Sequence, residues 1–177
     1  MEGVYSSEND ELTKKIFSEK NKKVICSFSN RNGFSNPIMW GYYANGFKGV
    51  AIEIEIPENK NLKKVSYSSE LPKIFSEEEI IKILTTKLNK WKHEKEYRFI
   101  IDTEKEFLYK IGEITKVYLG NPYGNTINQK DIIENNKSLK KYLYLKHELE
   151  EFLTNKNIKY SDIIVKKNTV IQLNNIR

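Results

Sequence analysis

Apolar residues recur at two periods along this chain, and the switches between them divide it into helices and strands. Leu12, Ile16 and Phe17 share one side of a helical stretch from Glu11 to Lys20, capped by Asn9-Asp10 and ended by Asn21-Lys22-Lys23. Val24-Ile25-Cys26-Ser27-Phe28-Ser29 follows as a strand whose apolar and small side chains predict burial on both faces. Asn30 to Ser35 is a polar loop. Asn36-Pro37 then opens a short helix over Ile38 to Asn45, which Gly46 closes in the left-handed conformation. Gly49 to Ile56 alternates and stops at Pro57, so it is a strand. Asn59 to Leu71 is irregular, with a short strand at Val65-Ser66-Tyr67.

Ser76 and Glu79 form a capping box for a long helix, whose stripe runs through Ile80, Ile81, Leu84, Leu88 and Trp91. Without a turn, the period changes to a strand from Tyr97 to Ile101, followed by a hairpin-like return near Phe107-Leu108-Tyr109. Ile114 to Leu119 is a strand stopped by Gly120-Asn121-Pro122. Ser138 to Asn155 is a charged helix with Leu139, Tyr142, Leu143, Leu149 and Phe152 inward. Ile163 to Val165 and Thr169 to Leu173 make a terminal hairpin around Lys166-Lys167-Asn168. Elements mixed in this order predict an α+β fold, a mixed and largely antiparallel sheet with flanking helices, in one domain over residues 1–177.

Composition narrows the functional classes. A hydrophobic fraction of 38% with 12% aromatic residues supports a folded core despite 31% charge. The net charge of +6 favours an acidic protein or a nucleic acid as partner, although no block of like charge localises it. A single cysteine, Cys26, rules out an internal disulfide and suggests a reducing compartment. No apolar run has the ~18 residues that a membrane span needs, and the first residues lack a signal-peptide pattern. The expectation is a cytoplasmic protein without a membrane partner.

Three pieces can carry chemistry: the Ser27-Phe28-Ser29 strand end, the aromatic helix from Trp40 to Tyr43, and the Glu94-Lys95-Glu96 entry to the strand at Tyr97. A hydroxyl on one strand can orient a carboxylate on its neighbour while an aromatic ring stacks on a flat cationic heterocycle. Such parts suit cleavage of an N-glycosidic bond, the carboxylate binding a ribose hydroxyl and stabilising oxocarbenium charge. Each part also has a plainer account. The serines can serve strand-end hydrogen bonds, Trp40 and Tyr43 core packing, and the glutamates surface pairing with Lys92, Lys95 and Arg98. At a strand mouth Glu96 would be partly exposed, so Glu96→Gln should change stability by roughly 1 kcal/mol or less. His93 and His147 lie far apart, so no zinc spacing exists. Cys26, the only thiol that could pair with His93, sits mid-strand and reads as inert core. Lys137, Lys140, Lys141 and Lys146, with Tyr142 and Tyr144 among them, form a solvated helix face that can also meet phosphates.

The order of the motifs carries a resemblance. Cys26-Ser27-Phe28-Ser29, Ile38-Met39-Trp40-Gly41-Tyr42-Tyr43-Ala44, Lys48-Gly49-Val50-Ala51-Ile52 and Trp91-Lys92-His93-Glu94-Lys95-Glu96-Tyr97-Arg98 resemble the bacterial and phage family catalogued as domain of unknown function 2971. Val117-Tyr118-Leu119-Gly120 and the terminal strands look like that family too. More distantly, the family is similar to the ADP-ribosyltransferase superfamily. The resemblance implies an NAD-using enzyme that moves ADP-ribose to a protein or nucleic-acid acceptor. Glu96 would be the catalytic glutamate, Glu94 the first acid of a Glu-x-Glu pair, and Ser29 or Ser27 the strand serine. Trp40 or Tyr43 would stack on nicotinamide, with Tyr97 and Arg98 beside the dinucleotide. The family's opening Tyr-Arg strand and Phe-Asn-Asp-Pro-like segment have no counterpart before Val24. That departure implies a weaker hold on NAD and an alternative: a trimmed, non-catalytic basic protein. Such a protein would act in phage–host conflict as a binder or inhibitor of a nuclease, a guide RNA or another defence protein.

Overall fold

Two threonines stop the helix that the apolar stripe at Ile80 begins. Thr85 Oγ1 donates to the Ile81 carbonyl and Thr86 Oγ1 to the Lys82 carbonyl, both at 2.7 Å. These bonds compete with the backbone ladder, and the chain leaves the helix as a strand. The computed structural model describes residues 10–73, 76, 79–102, 109–124, 130–166 and 169–172. In chain order the elements are α1 (Asp10–Asn21), β1 (Lys23–Ser29), α2 (Arg31–Phe34), α3 (Pro37–Tyr43), β2 (Val50–Glu55), β3 (Leu62–Lys64), β4 (Ser66–Ser68), α4 (Ile80–Leu84), β5 (Thr86–Leu88), a 3₁₀ helix (Asn89–Glu94), β6 (Glu96–Asp102), β7 (Glu113–Gly120), α5 (Lys130–Asn135), α6 (Lys137–Asn155), β8 (Tyr160–Lys166) and β9 (Thr169–Gln172). The architecture is α+β, with mixed and largely antiparallel pairing. Among the described residues, no helix is long and apolar enough to cross a membrane.

Contacts divide the chain into two units, Met1–Gly33 with Pro57–Ile111, and Phe34–Ile56 with Gly112–Arg177. In the first, β6 lies between β1 and β3 and is antiparallel to both, with Ser29 opposite Glu96 and Ser27 opposite Arg98. Ile16 of α1 and Ile80, Ile83 and Leu84 of α4 bury Ile100, with Leu12 and Ile25 against them. A parallel two-stranded pair, β4 with β5, sets Tyr67 beside Lys87. In the second unit the order is β2-β7-β8-β9, antiparallel except for the parallel β7–β8 pair. Trp40, Ala44, Tyr118 and Ile163 form the core on one face of this sheet, and Val117, Leu119 and Leu153 form it on the other. Alternation along β7 produces that division, since Tyr118 points away from its two neighbours.

Several sequence expectations change. The long helix to Trp91 is replaced by α4, β5 and the 3₁₀ helix. Burial of β1 on both faces gives way to an edge strand with Val24 and Cys26 exposed, because only β6 pairs with it among the described strands. Cys26 is therefore not core. The loop after β1 contains the short α2. Phe152 is exposed and Leu153 takes the inward place on α6. Asn36 caps α3 as expected, its side chain accepting from the Ile38 N–H, with Pro37 at the first position. Phe107 and Leu108 of the return, Lys167-Asn168 of the terminal turn, and Leu173 lie outside the described residues.

Candidate active site

The corner between the 3₁₀ helix and β6 turns on Lys95, whose φ of 49° lets the chain reverse direction between two glutamates. Asn30 N–H donates to the Lys95 carbonyl at 3.1 Å, and Ser29 Oγ donates to the Glu94 carbonyl at 2.6 Å. Gly33 makes room for this hydroxyl, since a Cβ there would lie 1.8 Å from it. The end of β1 therefore clamps the backbone on which both carboxylates ride.

Side chains complete the arrangement. Lys87 Nζ bridges Glu94 Oε2 at 2.5 Å and Glu96 Oε2 at 2.7 Å. Arg98 Nε donates to Glu96 Oε1 at 2.8 Å, and Arg98 Nη1 to the Leu84 carbonyl at 2.6 Å. Tyr67 Oη accepts from the Glu96 N–H at 2.9 Å. Glu94, Glu96 and Arg98 are 3%, 5% and 1% exposed. Two carboxylates meet two cations, so the cluster can be buried without net charge.

Burial alone would raise the Glu96 carboxyl, but hydrogen bonds from Arg98, Lys87 and Ser27 outweigh it and hold the group below its ordinary range. Burial likewise opposes the Lys87 charge, and its bonds to Glu94 and Glu96 overcome that and lift the ammonium above its usual value. Burial leads in raising the Tyr67 phenol, against a hydrogen bond from the Glu96 backbone that lowers it. Glu96 is thus an ionised, rigidly held carboxylate.

These shifts fix the pH dependence of folding. A carboxyl lowered on folding contributes stability above its unfolded value of about 4.3, and that contribution fades as pH falls through the folded value. A raised Lys87 contributes below its unfolded value of about 10.4, and the contribution fades as pH rises through the folded one. The expected outcome is a plateau from about pH 5 to pH 10. Denaturant midpoints of wild type and Glu96→Gln should differ on that plateau, begin to converge as pH falls below the unfolded value of about 4.3, and meet once pH has fallen through the lower folded value.

Of the residues singled out in the sequence, the structure brings together Glu94, Glu96, Ser27, Ser29 and Arg98. Ser29 holds the backbone through the Glu94 carbonyl, and Ser27 contributes to the lowering of the Glu96 carboxyl. The expected partial exposure of Glu96 is corrected, because its oxygens face Arg98 and Lys87 rather than water. Tyr97 stands on the opposite face of β6 from its neighbours Glu96 and Arg98. Trp40 and Tyr43 belong to the second unit. There Trp40 is core, its ring stacked on Phe47 and its indole N–H donating to the Phe34 carbonyl at 2.9 Å, and Tyr43 is exposed. His93 Nδ1 lies 3.1 Å from the Lys90 carbonyl, to which its N–H donates.

Sequence reasoning missed Lys87 and Tyr67. Lys87 fell within a run read as helix, and the signal available was the pair Thr85-Thr86, whose side chains favour leaving a helix. Tyr67 was placed on a strand but given no partner. Compared with protein-family models, curated proteins and solved structures, the chain matches none, so its chemistry is read from this geometry alone.

Proposed function

We propose that this chain is an ADP-ribosyltransferase-like protein that uses NAD, with Glu96 as the acid that takes a hydroxyl of the nicotinamide ribose. The observation that supports this most is the pairing of a serine-bearing strand with the glutamate-bearing one: Ser29 of β1 lies opposite Glu96 of β6 and its hydroxyl holds the Glu94 carbonyl at 2.6 Å, while the Glu96 carboxyl is kept below its ordinary range. An anion fixed in that way stabilises positive charge developing on a ribose as nicotinamide leaves, and needs no reorganisation to do so. Glu96 receives Arg98 Nε on one oxygen and Lys87 on the other. Arg98 Nη2 takes a further position on that carboxylate, so of about four acceptor positions one remains for a sugar hydroxyl. Glu94 would set the position of Lys87, and the acceptor of ADP-ribose would be a protein or nucleic acid.

A calorimetric titration with NAD tests the binding this requires. Saturable heat in wild type that is lost in Glu96→Gln is the expected result. Absence of heat with wild type would remove the proposal.

A second reading has its own observation. Both carboxylates are under 6% exposed and each already faces a cation, which is the arrangement of a structural lock. The protein would then be a non-catalytic basic binder or inhibitor of a protein or RNA in phage–host conflict. Its complex would survive Glu96→Gln and weaken steeply with salt, since exposed charge is screened.

A further inference from the structure

In the second unit α6 covers only part of its sheet face. Leu149 and Leu153 pack on Val117 and Leu119 of β7. On the outer strand β2, Val50 and Ile52 remain 38% and 53% exposed, and Leu145 of α6 is 54% exposed. Between them lies a cavity of about 470 Å³, within the range that holds small ligands. Its floor includes Val50, Leu119, Leu145 and Leu149. Its polar lining includes Lys48, Lys141 and Lys146 and no acid.

The lysines differ. Lys146 is neutralised by Asp162 at 2.6 Å and Glu150 at 3.5 Å. Among the described residues neither Lys48 nor Lys141 joins an ion pair. Lys48 is also held in place by a strained turn. Asn45, Gly46 and Phe47 have φ values of 48°, 62° and 67°, a left-handed run that side chains rarely adopt. Gly49 N–H donates to the Ala44 carbonyl at 2.8 Å and Gly120 N–H to the Gly49 carbonyl at 3.0 Å. A Cβ on Gly120 would stand 2.3 Å from the Phe47 carbonyl oxygen, so the turn and β7 are in close contact. Backbone contacts therefore maintain the strain, and the turn presents Asn45 and Lys48 at the rim.

We propose that this groove binds a small amphipathic anion. Its single carboxylate, sulfonate or phosphate lies against Lys48 and Lys141, and its apolar body lies across Val50, Leu119 and Leu145. Uncompensated cations beside uncovered apolar surface fit that chemistry, whereas an uncharged lipid leaves the cations unused and a bare anion leaves the apolar floor wet. The site is independent of the acid cluster around Glu96.

Anilinonaphthalene sulfonate, which joins a sulfonate to aromatic rings and fluoresces when bound, is the probe. Wild type should give saturable binding at one site per chain. Lys48→Glu with Lys141→Glu should weaken it about tenfold or more, and Leu145→Gln should weaken it severalfold. All three side chains are exposed, so the thermal transition should stay near that of wild type. Lys48→Gln with Lys141→Gln serves in place of the reversal if that variant folds poorly. Octanoate should displace the probe at concentrations about tenfold below those needed for octanol or inorganic phosphate. Unsaturable binding, unchanged affinity in the lysine variants, or octanol or phosphate matching octanoate would overturn the proposal.

Discussion

Replacing Arg98 by methionine is expected to destabilise the protein by about 3–5 kcal/mol. The guanidinium is 1% exposed, faces Glu96 through Nε and Nη2, and satisfies the Leu84 carbonyl through Nη1. Methionine fills much of the volume but leaves Glu96 and Glu94 sharing the single charge of Lys87. An uncompensated buried carboxylate is the source of the loss, beyond the absent hydrogen bonds. For a chain of this size the thermal midpoint should fall by roughly 2–4 °C for each kcal/mol. Removing both partners is a different matter. Glu96→Met with Arg98→Met should recover most of the stability, since the desolvation of both ions is no longer required and Lys87 keeps Glu94. Urea unfolding of the single and double variants checks both expectations, and a double variant as unstable as Arg98→Met would contradict the charge-balance account.

Glu96→Gln is expected to slow release of nicotinamide from NAD by about a hundredfold or more, the scale on which enzymes lose a preorganised electrostatic partner. Gln keeps the size of Glu and can still accept a hydrogen bond, so geometry is nearly conserved while the negative charge is removed. That charge is what would oppose the positive charge developing on the ribose. The same substitution also costs stability. Lys87 retains Glu94, but Arg98 loses Glu96, its one counter-ion among the described residues. At 5% exposure the loss belongs with broken buried pairs, about 3–5 kcal/mol, rather than with the small change expected of a partly exposed side chain. Rates must accordingly be compared per folded molecule.

Much of this fold was legible where side-chain period and local capping agree. Asn36-Pro37 before α3, the run from Val50 to Pro57, and the apolar stripe of α6 each pair a pattern with a stop or start signal. The run from Ile80 to Trp91 shows where period alone fails. Its apolar spacing is helical, yet Thr85 and Thr86 bond backwards and β4 pairs with the released strand. That pairing is non-local, and nothing within the run specifies it. The same applies to the site. Glu94 and Glu96 stood out as a Glu-x-Glu pair where the period changes, and the two serines as the end of a strand, each a signal contained in its own short segment. Lys87 reaches the cluster only through the β4–β5 pair, and Tyr67 comes with it. Edge placement misled the reading of β1: an apolar strand with one neighbour leaves Val24 and Cys26 outside, although their residue types suit a core.

Glu96 is the pivot of the account, and nicotinamide released from NAD by wild type and by Glu96→Gln, at equal concentrations of folded protein, tests its role most directly. Steady release by wild type with a variant at least about a hundredfold slower is the predicted result. Equal rates in the two proteins, or no release from either, would contradict it and leave the ion cluster of Lys87, Glu94, Glu96 and Arg98 as a purely structural lock.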